Sequence, residues 1–273
     1  NMEGVLRMDL PRVNRKKAGF LLLCLLGAGT VLASPERGLA LGEGAAFDVR
    51  VVLYGSDPDR QGEELGAAHG TAPSRIAWEV RKRTSIQTRL SPTSARLDSP
   101  KLAESPFLYW SGRESFDPLS DAEILGLRRF VELGGFVLID DANPQSGGFA
   151  KAARRALGRA FPSQPLVSIP RTHTVYRSFY LVDRPVGRVE GPPTLDGLEF
   201  DGRMAVVMTH HDLGGALARD NIGTWEQSVV PGGLAQRETA MRLAVNLVMY
   251  ALCLDYKDDQ VHAPFIMRRR GRR

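Results

Sequence analysis

The stretch that most constrains the fold is Leu119–Ala142, LSDAEILGLRRFVELGGFVLIDDA. Ser120 and Glu123 have the spacing of a capping box, in which each side chain satisfies a backbone N–H near the other. Ile124, Leu127, Phe130 and Val131 then recur at helical intervals. Gly134 and Gly135 end the helix, because glycine accepts the left-handed conformation needed there. Phe136–Ile139 is a continuous apolar run, the pattern of a strand buried on both faces. Asp140 and Asp141 follow at its C-terminal end, the edge where open α/β sheets place ligands.

The flanking segments extend the alternation. Pro106–Trp110 reads as a short aromatic strand before this unit, and Phe149–Ala160 as a helix after it. Strand, helix, strand, helix argues a mostly parallel, doubly wound α/β sheet with helices on both faces. Phe47–Tyr54 is the expected first core strand, and the loop Ser56–Ala72 follows its C-terminal end, so it belongs at the ligand edge. Ser74–Arg83 suits a helix, with a basic face of Arg75, Arg81, Lys82 and Arg83 expected in solvent. Ser85–Leu90 is a weak strand candidate, and Ser91–Ser105 has no period and reads as irregular.

Further on, Leu166–Ile169 reads as a short strand, Tyr176–Val182 as a strand or helical turn, and Gly187–Gly202 as loop or hairpin. Met204–Thr209 is a buried strand. Leu213–Gly233 reads as a long, Gly-rich loop of the kind that is functional or mobile. Gln236–Leu254 is a helix apolar all round, which is buried or docks on a partner. Leu243, Leu247 and Ala251 should face the sheet, Asn246 should bond to backbone or a polar neighbour, and Val261–Met267 could cover the opposite side.

The start of the chain has a different character. Arg15, Lys16 and Lys17 precede the apolar run Ala18–Ala33, which is short for a membrane span and suits a signal peptide cleaved before Ser34, with an uncleaved anchor as the alternative. Residues 1–33 are thus assigned as leader, 34–46 as linker, 47–267 as one α/β domain and 268–273 as a basic tail. The formal net charge of +5 comes from the ends: the leader through Ala33 contributes +3 and the tail five arginines, leaving −3 for the domain. A basic nucleic-acid surface is therefore not indicated. Without the leader's Cys24 only Cys253 remains, so the mature chain has no internal disulfide.

PFLYWSG, LSDAEILGLRRFVELGGFVLIDDA, GGF, HTVYRSFYLV and the late strand before HHDLGGALARD resemble an exported bacterial family, the domain of unknown function 4159. That family is similar to class I glutamine amidotransferase-like and trehalose-utilisation-like domains, which implies a flavodoxin-like fold. The family's frequent neighbours, AAA ATPases and von Willebrand A-type membrane proteins, imply a cell-envelope partner. The resemblance supplies no catalytic residue. An amidotransferase also needs a cysteine on a sharp turn after a strand. Cys253 lies instead in the last apolar helix, where a core role is expected. Gly-x-Ser-x-Gly is absent too.

Four polar clusters could meet at one edge: Asp140 with Asp141, His173 with Arg177, His210-His211-Asp212, and Arg219-Asp220 with Trp225. Asp140, His173, His210 and Asp212 are the candidates for acid–base chemistry. Asp140, Asp141, Arg177, His211 and Trp225 are the candidates for binding a small molecule or glycan, Trp225 as a stacking surface in the Gly-rich loop. The alternative is structural, with Asp140 capping the next helix and His210 bonded to loop backbone. His210 and His211 cannot both point the same way from an extended strand. No metal set and no cofactor are assigned. The expected function is a non-catalytic ligand- or partner-binding module at the cell envelope, with a carbohydrate-directed hydrolase as the alternative.

Overall fold

The computed structural model describes residues 46–55 and 66–270, with residues 254–270 as backbone only. The expected leader, nearly all of the linker, the tip of the first loop and the packing of Val261–Met267 fall outside the described residues. Strands β1 (Arg50–Leu53), β2 (Ser94–Arg96), β3 (Phe107–Gly112), β4 (Phe136–Asp141), β5 (Leu166–Ser168), β6 (Asp196–Phe200) and β7 (Arg203–Thr209) form one sheet. Its order is β2-β1-β3-β4-β7-β6-β5. The first five in that order run parallel. The hairpin β6–β7 and then β5 add antiparallel strands at one edge. This is a flavodoxin-like α/β domain, and the chain reverses its winding direction between β1 and β3.

The helices are α1 (Ala72–Arg83), α2 (Asp121–Glu132), α3 (Gly148–Ala160), the short α4 (Leu213–Leu217) and α5 (Gly233–Arg270). The capping box forms as expected: Ser120 accepts from Glu123 N, and the Glu123 carboxylate accepts from Ser120 N at 2.9 Å. Alternation along the strands makes two cores. Tyr109, Leu138 and Val207 face α1, α4 and α5, whereas Trp110, Ile139 and Met208 face α2 and α3. The α5 face carries Leu243, Leu247 and Ala251 into the first core. Asn246, fully buried, accepts from the N–H groups of Phe179 and Tyr180 and donates to Tyr180 O, as expected of a lone amide there.

Several local expectations are corrected. The segment read as irregular, Ser91–Ser105, holds edge strand β2 and a 3₁₀ helix, Pro100–Glu104. The strand is too short to show a period. Ser85–Leu90 forms only an isolated bridge, Phe47 to Thr88. The Gly-rich stretch after β7 is not one long loop, because α4 forms at its start. Asp201 and Gly202, both at positive φ, turn β6 into β7 as an Asp-Gly hairpin. Cys253 is exposed rather than in the core, since the last helix turns its solvent side outward there. The basic face of α1 is only partly solvated: Arg75 and Arg83 both pair with Glu79, which is buried between them. Among the described residues, no helix is long and apolar enough to cross a membrane.

Candidate functional site

The C-terminal ends of β1, β3, β4 and β7 carry the polar residues, and strand alternation sorts them onto two faces. Asp140 points to the α4 side and Asp141 to the α3 side, so the two adjacent carboxylates serve different places.

Asp140 is fully buried, and its oxygens are saturated. Oδ1 accepts from Leu213 N at 2.8 Å; Oδ2 accepts from Gly214 N at 2.7 Å and from the Tyr109 hydroxyl at 2.8 Å. The carboxylate thus closes the N-terminus of α4, where its charge suits the helix dipole. A cap was foreseen, but on the next helix rather than on one more than seventy residues away in sequence. Gly214 permits this approach, because a Cβ there would stand 2.4 Å from the Tyr109 hydroxyl. Burial, and then the nearby Asp212 charge, push the Asp140 pKa above the usual carboxylate range against the pull of those donors.

Asp212 sits at the N-cap of α4 with a left-handed backbone, φ 52°. Its Oδ1 accepts from Gly215 N at 3.1 Å and pairs with His69 Nε2 at 2.9 Å, and its Oδ2 takes Arg188 Nε. The other imidazole nitrogen of His69 faces Arg113 at 3.4 Å and Glu226 at 3.8 Å. A buried histidine is therefore held by a buried carboxylate beside the point where the strand order reverses. Sequence reasoning missed His69, although it lies in the loop after β1 that was expected at this edge.

The second histidine pair splits. His211 is fully buried, donates from Nε2 to Pro192 O at 2.9 Å and faces the Thr209 hydroxyl through Nδ1 at 3.0 Å. Burial pulls its pKa down to about 4, so it is neutral and internally bonded. The loop-backbone bond expected of His210 belongs to His211. His210 turns to the α3 side, with Nε2 at 2.9 Å from Asp196 and Nδ1 at 3.9 Å from Asp141. Burial works against its charge, but the Asp141 and Asp196 carboxylates outweigh it and hold the pKa up to about 9. Asp196 also pairs with Arg154 from α3. It had no sequence signal, because antiparallel pairing with Met208 brings it here.

His210, Asp141, Asp196 and Arg154 line a cleft of about 470 Å³ with Lys151, Gln145 and Pro192. Asp141 is fully buried; Oδ1 accepts from Asn143 N at 3.1 Å, while Oδ2 has no hydrogen-bond partner. Such a group is expected to find one.

His173 and Arg177 lie elsewhere, whereas Trp225 stays near the His69–Asp212 pair, its neighbour Glu226 facing His69 at 3.8 Å. The His173 ring packs 5.6 Å from Tyr250, which touches Phe136 and whose hydroxyl accepts from Met204 N. Those residues start β4 and β7, and at about 3.3 Å per residue the start of β4 is ~13 Å from Asp140. Arg177 is exposed near His173, donating to Arg171 O at 3.4 Å. Trp225 is half-buried, with the guanidiniums of Arg219 and Arg237 at 3.8 and 4.1 Å over its ring. Among the described residues no group of three or more His, Cys, Asp or Glu side chains is placed to hold a metal.

The model of one family, the domain of unknown function DUF4159, matches residues 51–252. No curated protein matches the chain.

Proposed function

We propose, from the premise that this chain belongs to the DUF4159 family, that the domain is a non-catalytic binding module exported to the cell envelope. Its ligand is a small polar molecule or glycan held in the cleft between β4, β7 and α3. The observation that carries this reading is Asp141, a fully buried carboxylate in that cleft whose Oδ2 makes no hydrogen bond and has only the longer ion pair to His210 Nδ1 at 3.9 Å. Around it stand a cationic His210, Arg154 and Lys151, with Glu190 and Asp196 in balance, so the lining suits a ligand that offers hydroxyl or ammonium donors together with acceptors. The amidotransferase-like resemblance supports a shared scaffold without the cysteine chemistry, since Cys253 is on α5 and exposed.

The test is thermal or urea unfolding of the parent and Asp141→Asn against a panel of sugars, amino sugars and amino acids. A ligand that binds the native state raises the midpoint in a saturable way. One class should do so, and the rise should vanish in Asp141→Asn. No rise with any class, or the same rise in the variant, would remove the proposal. Export rests on Arg15, Lys16 and Lys17 before the Ala18–Ala33 run; the mature protein should begin near Ser34, and recovery of Lys16–Phe20 from it would indicate an anchor.

The hydrolase alternative is favoured by one observation, the His69–Asp212 pair. A histidine oriented by a buried carboxylate is two-thirds of a nucleophilic triad, with water left as the attacking group. Turnover of glycan or ester substrates that His69→Ala abolishes would replace the binding reading.

A further inference from the structure

A second hollow, of about 350 Å³, lies between the first turn of α1 and the loop after α4. Arg75, Trp78, Leu90 and Arg219 line it. The Arg75 guanidinium lies 3.8 Å over the Trp78 ring, and Arg219 lies 3.8 Å over Trp225, which Arg237 also covers. Three guanidiniums therefore gather around two indoles.

Their countercharges fall short. Glu79 pairs with Arg75, but shares itself with Arg83. Arg219 donates to Gly223 O at 2.7 Å, and Arg237 donates to the carbonyls of Ala216 and Gln227; among the described residues neither has an ion pair. Asp220 also lines the hollow and keeps its charge, but its oxygens are turned to Ile222 N, Thr224 N and the Thr224 hydroxyl rather than to a guanidinium. Glu226 accepts from Thr71 and faces His69. The Nε atoms of Arg75, Arg219 and Arg237 are buried without partners. Burial first, and then the Arg219 charge, lower the Arg237 pKa; at Arg75 burial outweighs the Glu79 carboxylate, and the Arg219 charge adds to the lowering. Like charges in a partly desolvated hollow call for a counter-anion.

We propose that this hollow binds an oxyanion, phosphate or carboxylate, carried on a small apolar body. The Arg75 and Arg219 guanidiniums, both in the lining, supply the charged N–H donors that an oxyanion accepts. Trp78 and Leu90, the latter 40% exposed, supply the apolar wall. This site is separate from the cleft at Asp141 and takes a different ligand.

The experiment titrates the full chain with inorganic phosphate, phenyl phosphate and benzoate at low salt, read by tryptophan fluorescence and calorimetry. Saturable binding is expected, with an aromatic anion bound more tightly than inorganic phosphate. Phenyl phosphate ahead of benzoate identifies a phosphate ligand, and the reverse order a carboxylate. Arg219→Gln should weaken binding at least tenfold. Leu90→Asp, at an exposed position that leaves the fold intact, should do the same and decides the matter if Arg219→Gln unfolds. No saturable binding of any probe up to about 10 mM, or parent-like affinity in Leu90→Asp, overturns the proposal. Asp141→Asn should leave these affinities unchanged, so this proposal and the one at Asp141 fail separately.

Discussion

His210 and His211 are adjacent, yet their environments drive them in opposite directions. His210 has a folded pKa of about 9, above the ordinary 6.5. A raised value means its pairing with Asp141 and Asp196 contributes stability that is complete below pH 6.5 and is lost as pH rises through 9. His210→Gln should therefore remove roughly 3 kcal/mol at most near neutral pH. It should also flatten the fall in stability between pH 6.5 and 9, read from urea midpoints across that range. His211 has a folded pKa of about 4, below 6.5. Its contribution is present above pH 6.5 and is lost as pH falls through 4, because the unfolded chain takes up the proton first. His211→Gln should lessen the acid side of the same profile. Asp140 offers a third residue-scale test. Asparagine there must turn its NH₂ group toward either Leu213 N or Gly214 N, leaving that backbone donor unsatisfied. Asp140→Asn should cost roughly 1–3 kcal/mol, and a parent-like urea midpoint would contradict the saturation of that carboxylate.

At the scale of elements, the helices and central strands were legible because their signals are local. The capping box, the 3.6-residue spacing and the unbroken apolar run of β4 lie within a few turns of one another. Edge strand β2 and the short α4 have no such signal. The first is fixed by pairing with β1, and the second by a carboxylate from β4. Two glycines test how tightly the helices are seated. On α2, a methyl at Gly126 would stand 1.8 Å from Leu97 O, so that backbone must move. On α3, a methyl at Gly158 would meet nothing within 4 Å. Gly126→Ala should destabilise by roughly 1–3 kcal/mol or more, while Gly158→Ala should stabilise by about 0.5–1 kcal/mol through helix propensity. Equal midpoints for the two variants would mean that α2 does not pack on the Leu97 backbone as described.

For the molecule as a whole, the sheet separates stability from the proposed binding. Leu247 is fully buried in the core under α5, on the face opposite the Asp141 cleft. Leu247→Ala should cost roughly 2–5 kcal/mol, a large part of the 5–15 kcal/mol typical of a domain. Ligand affinity at Asp141, measured by calorimetry on the folded fraction, should stay at the parent value. A parallel loss of affinity would show that the two faces are coupled.

The sequence alone determined that this is a wound α/β sheet with Asp140, Asp141 and the His210–Asp212 triplet at one edge. Those conclusions rest on periodicity and on the polarity of strand ends, which neighbouring residues encode. The tertiary structure decided which of these side chains are open. A strand alternates with period two, so Asp140 and Asp141 part company across the sheet, and whether each is satisfied depends on distant groups. Leu213 N, Gly214 N and the Tyr109 hydroxyl saturate one, and the other keeps an oxygen with no hydrogen bond, 3.9 Å from His210. His69, invisible as a motif, gains its place only because Asp212 reaches it across 143 positions of chain. His173 is carried away from the edge for the complementary reason, since its neighbours in space are the strand starts under α5.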